Sequence, residues 1–364
     1  MLRAAHHTFG SRLDAAIHVS PHADPGLPRT SHFRGGHPVP NAEGVRAGRA
    51  VVRLLQGAGK CDLVVLLLSG GASALLPAPV AGLRLRDKQR VTRLLLARGA
   101  TIDELNAVRK RLSQLKGGGF ARLAFPAQVV ALALSDVPGD DPATIGSGPA
   151  VADPGSSRAA RAVVARFLAP GEIPVGVRRA LGAADTQRMP MQARTRVIGS
   201  GRTFALAAAQ KARALGFHVS LRLGALEGEA RERGPELIAA FRRRRSPGPR
   251  CVIATGETVV KVRGNGRGGR NQELALASIE ALATSPQPTV LAAFATDGVD
   301  GRSSSAGAIV DDRAARKARR RGVDIAGALD ANDSETALEA VDALIRTGPT
   351  GTNVADVALI LGIT

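Results

Sequence analysis

The chain has 364 residues, of which 44% are hydrophobic, so it is long enough for two globular domains with ordinary cores. Its formal charge of +19 suggests a nucleic-acid partner, but only 2% of its residues are aromatic, and tryptophan and tyrosine are absent. Because stacking on aromatic rings is a main source of single-strand binding, we expect no nucleic-acid partner. We interpret the excess of arginine as a solvated surface, which is also compatible with steering of an anionic substrate toward a cleft.

The apolar segments exclude a membrane helix. The longest of them, residues 63–83, is interrupted by glycines and prolines, and the first residues contain no apolar leader. Cys61 and Cys251 are the only cysteines, which is too few for a disulfide framework, and each begins an apolar run. We therefore expect buried, reduced thiols in a cytoplasmic protein without a membrane partner.

Short runs of Val, Ile and Leu alternate with segments of helical period, a pattern typical of βαβ units around mostly parallel sheets. Thr101 and Glu104 have the spacing of a capping box, and Lys116 with the glycines after it suits a helix C-terminus. In chain order the pattern predicts helix 42–55, strand 63–68, helices 86–97 and 102–115, strand 128–134, helix 157–168, strand 195–198, helix 203–215, strand 219–223, helix 235–243, strands 251–254 and 258–262, helix 271–283, strand 290–295, helices 314–321 and 336–344, and strand 357–361.

A stretch of proline, glycine and polar residues between 169 and 194 has weak periodicity and predicts a domain boundary. We expect a Rossmann-like α/β domain at 1–190 and a second α/β domain at 191–364. The predicted fold is therefore α/β, with two three-layer domains, mostly parallel sheets and an active-site cleft between the domains.

Five loops that follow predicted strands are rich in Gly, Ser and Asp, and ligands of α/β sheets bind at such strand ends. In the first loop, small residues let backbone N–H groups approach an anion at the start of the next helix, although a tight turn also needs these glycines. Its candidate phosphate ligands are Ser69, Gly70, Gly71 and Ser73. The second loop places Asp136 just past a strand, where it suits hydrated magnesium or a plain turn.

The third loop satisfies G-x-G-x-x-G at residues 264–269 and follows Glu257, so a dinucleotide site has to be considered. The guanidinium groups of Arg267 and Arg270 flank the place where a pyrophosphate would need bare backbone. They suit a triphosphate or a transferring phosphoryl group better. The candidate phosphate ligands here are Gly266, Arg267, Gly268, Gly269 and Asn271.

The fourth loop carries Asp297 at a strand end, a usual place for a catalytic base or a magnesium ligand. The fifth carries Thr352 and Asn353, whose polar side chains suit phosphate or substrate oxygens. Either loop alone also suits a turn, and their shared position after strands favours a common site. The sequence contains no Walker A lysine loop and no G-x-S-x-G elbow.

At these residues the chain resembles the glycerate 2-kinase family, whose C-terminal region is called the MOFRL domain and which is also known under the name hydroxypyruvate reductase. The matching segments run in family order along nearly the whole chain: 35–44, 62–76, 99–119, 132–149, 256–276, 295–311 and 348–357. The MOFRL region would occupy about 251–360.

The resemblance implies ATP-dependent phosphorylation of D-glycerate to 2-phosphoglycerate, with magnesium. By motif, Arg270 takes the place of the family's active-site arginine, which stabilises charge on the transferring phosphoryl group. The loops described above would line the site. The cleft residues would be Asp136, Glu257, Asp297, Thr352 and Asn353, with Asp136 and Asp297 as metal ligands.

Two departures from the family pattern leave alternatives open. Ala72 stands where the family usually has glycine, which requires a negative φ at that residue. The family's N-terminal segment with a glycine–lysine–alanine motif has no match here, so the first domain is expected to lack that part. The alternatives are an NAD(P)H-dependent hydroxypyruvate reductase and an impaired homologue that only binds nucleotide. The sequence also leaves a homodimer open.

Overall fold

The computed structural model describes residues 1–183, 190–244, 248–285 and 287–363. The chain divides into an N-terminal unit, residues 1–133 and 140–198, and a C-terminal unit, residues 134–139 and 199–364. The predicted boundary at 190–191 adjoins residues 184–189, which lie outside the described residues. The short segment 134–139, which carries Asp136, belongs to the C-terminal unit although it precedes most of that unit in the sequence.

The N-terminal unit combines parallel strand pairs with a helical layer. Strand β1 pairs with β2, and β3 pairs with β4, which is followed by β5 in the sheet order. The strands are β1 (Ala16–Ser20), β2 (Thr30–Arg34), β3 (Leu63–Leu68), β4 (Gln128–Ser135) and β5 (Ala193–Ser200). The helices are α1 (Leu2–Phe9), α2 (Ala42–Gln56), α3 (Ala72–Leu75), α4 (Leu85–Ala97), α5 (Ile102–Arg111), α6 (Gly119–Ala124), α7 (Ser157–Phe167) and α8 (Val175–Gly182).

The helical layer packs apolar stripes of α4, α5, α7 and α8 into one cluster that includes Leu95, Leu105, Leu112, Val164 and Leu181. Burial of each such side chain contributes about 1.5–3 kcal/mol. Helix α5 begins with the capping box that the sequence predicts. The Glu104 N–H donates to Thr101 Oγ1 at 3.3 Å, and the Thr101 N–H donates to Glu104 Oε2 at 2.9 Å.

The C-terminal unit is one sheet with helices on both faces. Its strands lie in the order β10-β9-β8-β11-β7-β6 and are β6 (His218–Leu226), β7 (Arg250–Gly256), β8 (Thr289–Ala295), β9 (Gly307–Val310), β10 (Leu344–Ile345) and β11 (Asp356–Gly362). The helices are α9 (Gly201–Ala214), α10 (Ala230–Arg243), α11 (Arg270–Ala283), α12 (Asp312–Arg321), α13 (Ile325–Asp330) and α14 (Ser334–Glu339).

Alternation along β11 produces these layers, because successive strand residues face opposite sides of a sheet. Val357 packs with Ala205 and Ala209 of α9, whereas Ala358 and Ile360 pack in the core beneath α11. The predicted α/β class with three layers therefore describes this unit.

Strand direction in the C-terminal sheet departs from the predicted parallel pattern. Strands β6 and β7 are parallel, but β11 is antiparallel to both β7 and β8, and β9 is antiparallel to β8. Parallel neighbours need a crossover element, and the connection 296–306 between β8 and β9 contains no helix. The sheet is consequently mixed.

Two local expectations are corrected. The predicted strand 258–262 is an extended segment whose only ladder contact in the described residues is an isolated bridge between Val259 and Glu229. Val259 and Val262 are 57% and 72% exposed, so no sheet face covers them. Cys61 is exposed, whereas Cys251 is buried as expected. In the described residues, no helix is long and apolar enough to cross a membrane.

Candidate active site

A pocket of about 500 Å³ lies in the C-terminal unit at the ends of β7 and β8. The antiparallel direction of β11 matters here, because its first residue, Asp356, pairs with Gly256 and Ala295, the last residues of β7 and β8. The pocket therefore combines two strand ends with one strand beginning. Its lining includes the predicted residues Gly266, Gly268, Gly269, Arg270, Asp297 and Asn353.

Arg270 begins α11 and is held by two carboxylates. Its Nε donates to Asp356 Oδ2 at 2.5 Å and its Nη2 to Asp356 Oδ1 at 3.3 Å, while Nη1 contacts Glu257. Burial alone would lower the pKa of Arg270, but its hydrogen bonds and charge interactions with Asp356 and Glu257 raise it. Within the described residues, three of the five guanidinium donors are engaged, and two are left for a ligand at a side chain that is 33% exposed.

Asp356 is the buried partner of this pair, with 2% of its side chain exposed. Burial raises its pKa, and the hydrogen bonds from Arg270 oppose that rise. A bidentate pair with a buried carboxylate fixes both the position and the plane of the guanidinium. Sequence reasoning missed Asp356 as a functional residue, although it ends the fifth glycine-rich loop.

Asp300 occupies the N-terminus of α11, where the sequence predicts a phosphate. It accepts hydrogen bonds from the backbone of Gln272 at 2.8 Å and from the backbone and side chain of Asn271, each at 3.2 Å. Burial raises the pKa of Asp300 to about 6, with the backbone hydrogen bonds opposing it. Asn271 is buried and bonded to this carboxylate, so it lies behind the pocket wall rather than on a ligand.

The glycine-rich loop packs against the chain at 331–335, which explains its composition. A Cβ on Gly264 would lie 2.3 Å from the Ala331 carbonyl oxygen, and one on Gly266 would lie 2.4 Å from the Asp333 side chain. The Arg267 N–H donates to Asp333, and its exposed side chain pairs with Glu335, away from the pocket lining. At the end of the loop, Gly268 and Gly269 line the pocket, and their backbone N–H groups have no acceptor among the described residues.

The remaining predicted residues of this unit divide into two groups. Asn353 lines the pocket, and its side-chain amide donates to Asp136 Oδ2 at 3.1 Å. Asp297 also lines the pocket, and its Oδ1 accepts from the Val299 N–H at 3.0 Å. Thr352 is exposed and lies outside the pocket lining. No group of three or more His, Cys, Asp or Glu side chains in the described residues is arranged to hold a metal ion.

The Ser69–Ser73 loop lies in the N-terminal unit. Gly71 has a φ of +79°, whereas Ala72 has a negative φ and starts α3, as its side chain requires. The sequence predicts that the start of the next helix favours an anion at this loop. Helix α3 has only four residues, however, so its dipole contributes little to anion binding. The structure also shows two neighbours that the pattern did not assign: Lys116, which donates to Ser73 Oγ at 2.5 Å, and the ring of His37, which packs against Gly71.

Comparison with known proteins identifies the family. Residues 1–182 match the model of a domain of unknown function, DUF4147, and residues 250–356 match that of the MOFRL family. A D-glycerate 2-kinase of Thermotoga maritima is 39% identical over 370 residues, covering 100% of this chain and 87% of the relative. A protein of Agrobacterium vitis named as a hydroxypyruvate reductase is 40% identical, covering 92% of this chain and 77% of the relative.

The same family appears among solved structures. The crystal structure of a glycerate kinase from Thermotoga maritima matches with a TM-score of 0.91 and 38% identity, over 99% of this chain and 88% of that chain. Two family models and a full-length relative agree, so the chain belongs to the glycerate 2-kinase family of DUF4147 and MOFRL proteins.

Proposed function

We propose that this chain is a D-glycerate 2-kinase, which transfers the γ-phosphoryl group of ATP to the 2-hydroxyl of D-glycerate and releases ADP and 2-phosphoglycerate. The observation that carries the proposal is Arg270, held at the pocket by Asp356 and Glu257 with two donors to spare. The relatives named as glycerate kinases support the reaction.

Phosphoryl transfer needs charge stabilisation more than covalent chemistry. Its transition state spreads negative charge over three equatorial oxygens, so fixed donors aimed at those oxygens accelerate the reaction. The bidentate contact with Asp356 holds the guanidinium before the substrate binds, so little reorganisation is required. The N–H groups of Gly268 and Gly269, which have no acceptor in the part of the chain that the structure describes, add backbone donors beside it.

Magnesium fits the carboxylates at this pocket. Mg²⁺ in kinases takes one or two protein carboxylates, with the nucleotide phosphates and water completing its shell, so a cluster of three protein ligands is not required. Asp297 lines the pocket with one carboxylate oxygen outside its turn, and Asp136 contacts the lining residue Asn353. We propose these two residues as the metal ligands. The ion would neutralise charge on the phosphates of ATP.

The reductase alternative needs a dinucleotide loop, and the third glycine-rich loop is poorly suited to be one. Its first glycines contact Ala331 and Asp333, and the Arg267 N–H is already bonded to Asp333. A pyrophosphate would have to displace these protein contacts.

We also assign the enzyme to the cytoplasm, because Cys61 and Cys251 are both free thiols.

Two coupled assays test the function, one with D-glycerate and ATP and one with hydroxypyruvate and NADH. If the chain is a kinase, turnover should occur only in the assay with D-glycerate and ATP. Arg270→Lys, which keeps the charge but loses the bidentate geometry, should lower kcat by about 10²-fold or more. Lys60→Ala removes one exposed cation and should leave kcat within twofold. NADH oxidation without ATP, or normal kcat in Arg270→Lys, would contradict the proposal.

A further inference from the structure

A buried ammonium group in the N-terminal unit has only neutral partners. Lys116 is 5% exposed, and its Nζ donates to Ser73 Oγ at 2.5 Å, Ser147 Oγ at 3.2 Å and the Gly146 carbonyl oxygen at 3.3 Å. No carboxylate in the described residues pairs with it. Burial of the group, followed by the charges of Lys88, Arg109 and Lys110, lowers the pKa of Lys116 well below its ordinary value.

A second buried lysine acts on the first. Lys88 on α4 is 6% exposed, and its Nζ is buried without a hydrogen-bond partner in the described part of the chain. Arg109 on α5 is the charge that acts on Lys88 in turn. Of the cations in this group, Lys110 has a carboxylate partner, Asp153, at 3.3 Å.

Unpaired charges of one sign in a protein interior are strongly unfavourable, and a bound anion would offset that cost. The Ser69–Ser73 loop provides an approach to the cluster. Ser73 is half-buried, and because its hydroxyl oxygen accepts from Lys116, its own proton points elsewhere and has no acceptor in the described residues. The N–H groups of Gly70 and Gly71 are likewise without acceptors there.

We propose that the Ser69–Ser73 loop together with Lys116 forms a phosphate-binding site in the N-terminal unit, with Lys88 supplying a second positive charge. The loop contributes hydrogen-bond donors, and the two lysines contribute the charge that a phosphate dianion requires. This inference rests on the proposed function for its substrates, ATP and 2-phosphoglycerate, either of which could supply the phosphate group.

Direct binding of inorganic phosphate to the full chain tests the site without reference to turnover. Calorimetric titration compares the wild-type chain with Lys116→Met and Lys88→Met, which keep the aliphatic stem and remove the charge. Lys60→Met is the matched control, since it removes one exposed cation of the same unit. We expect the Kd for phosphate to rise at least tenfold in Lys116→Met and about fivefold in Lys88→Met, and to stay within twofold in Lys60→Met.

Parallel titrations with ATP, in the absence of D-glycerate, and with 2-phosphoglycerate identify the source of the phosphate, which is the ligand whose Kd rises in both charge-removing variants. If Lys116→Met fails to fold, Lys88→Met decides, because the Lys88 ammonium makes no hydrogen bond in the described residues that its removal would break. Unchanged phosphate affinity in Lys88→Met, or a wild-type chain that does not bind phosphate at millimolar concentration, would overturn the site. Phosphate binding by a chain without kinase activity would instead refute the proposed function and keep the site.

Discussion

Replacing Lys88 by Met should make the protein more stable, which is unusual for a change at a buried position. The pKa of Lys88 falls from its ordinary 10.5 to about 8, with burial as the main cause and the charge of Arg109 as the second. A difference of this size corresponds to about 3 kcal/mol of the free energy of unfolding at neutral pH. Methionine fills similar space without the charge, so most of that energy should be recovered.

The pH dependence of this gain has a definite sign. Below pH 8 both the folded and the unfolded chain carry the proton on Lys88, and the folded state bears the full cost. Between pH 8 and 10.5 the folded chain loses the proton first, so the stability of the wild-type chain rises with pH in that window. The advantage of Lys88→Met should therefore fall from about 3 kcal/mol at pH 7 to about 1 kcal/mol at pH 10.

Urea unfolding of both proteins at pH 7 and pH 10 measures this advantage, with Lys60→Met as the control that should show none at either pH. Lower stability of Lys88→Met at pH 7 would refute the reasoning, because it would mean that the ammonium has a compensating partner. An equal gain at both pH values would also refute it, since the effect would then come from packing and not from charge.

Asp300 should produce the opposite slope at acidic pH, because its pKa is raised from 3.8 to about 6 and the folded chain keeps a proton that the unfolded chain has lost. The contribution of Asp300 should lower the free energy of unfolding by about 3 kcal/mol as the pH rises from 3.8 to about 6. Urea unfolding of Asp300→Asn should not show this decrease. Identical stability profiles for the wild-type chain and the variant would contradict the prediction. Gly264→Ala should destabilise the chain by about 1–3 kcal/mol, since its Cβ would lie 2.3 Å from the Ala331 oxygen. Gly171→Ala, with open space around it, is the control, and equal unfolding midpoints would count against the packing role of the loop.

The elements that sequence reasoning predicts best are those with local causes. Strand β3 has the predicted bounds, and the α5 capping box has the predicted partners, because both depend on a few adjacent residues. The end of α5 shows the limit of this reasoning. The pattern predicts a helix to Leu115 with Lys116 as a C-terminal cation, whereas α5 ends at Arg111 and Lys116 is buried. Its partners, Ser73 and Ser147, are distant in sequence, so no local pattern could show them.

Only part of the candidate site could be predicted from the sequence, because the rest depends on contacts between residues that are distant in the chain. Arg270 and Asp297, in the loops that follow β7 and β8, line one pocket as that position suggests, whereas Asn353 lines it from the loop that precedes β11. Asp356 reaches Arg270 because β11 runs antiparallel between β7 and β8, and strand direction is set by pairing across the whole unit. A glycine pattern typical of phosphate-binding loops can equally result from close packing of the backbone. For the first part of the loop, the contacts with residues 331–335 show that the glycines allow close packing.

The most direct test of the central claim is a ³¹P NMR spectrum of the full chain with ATP, magnesium and D-glycerate. We expect the γ-phosphate resonance of ATP to decline as the resonances of ADP and of 2-phosphoglycerate grow in equal amounts, and this conversion to slow by about 10²-fold or more in Arg270→Lys. An unchanged ATP spectrum with the wild-type chain, or phosphate transferred to a position of glycerate other than the 2-hydroxyl, would contradict it.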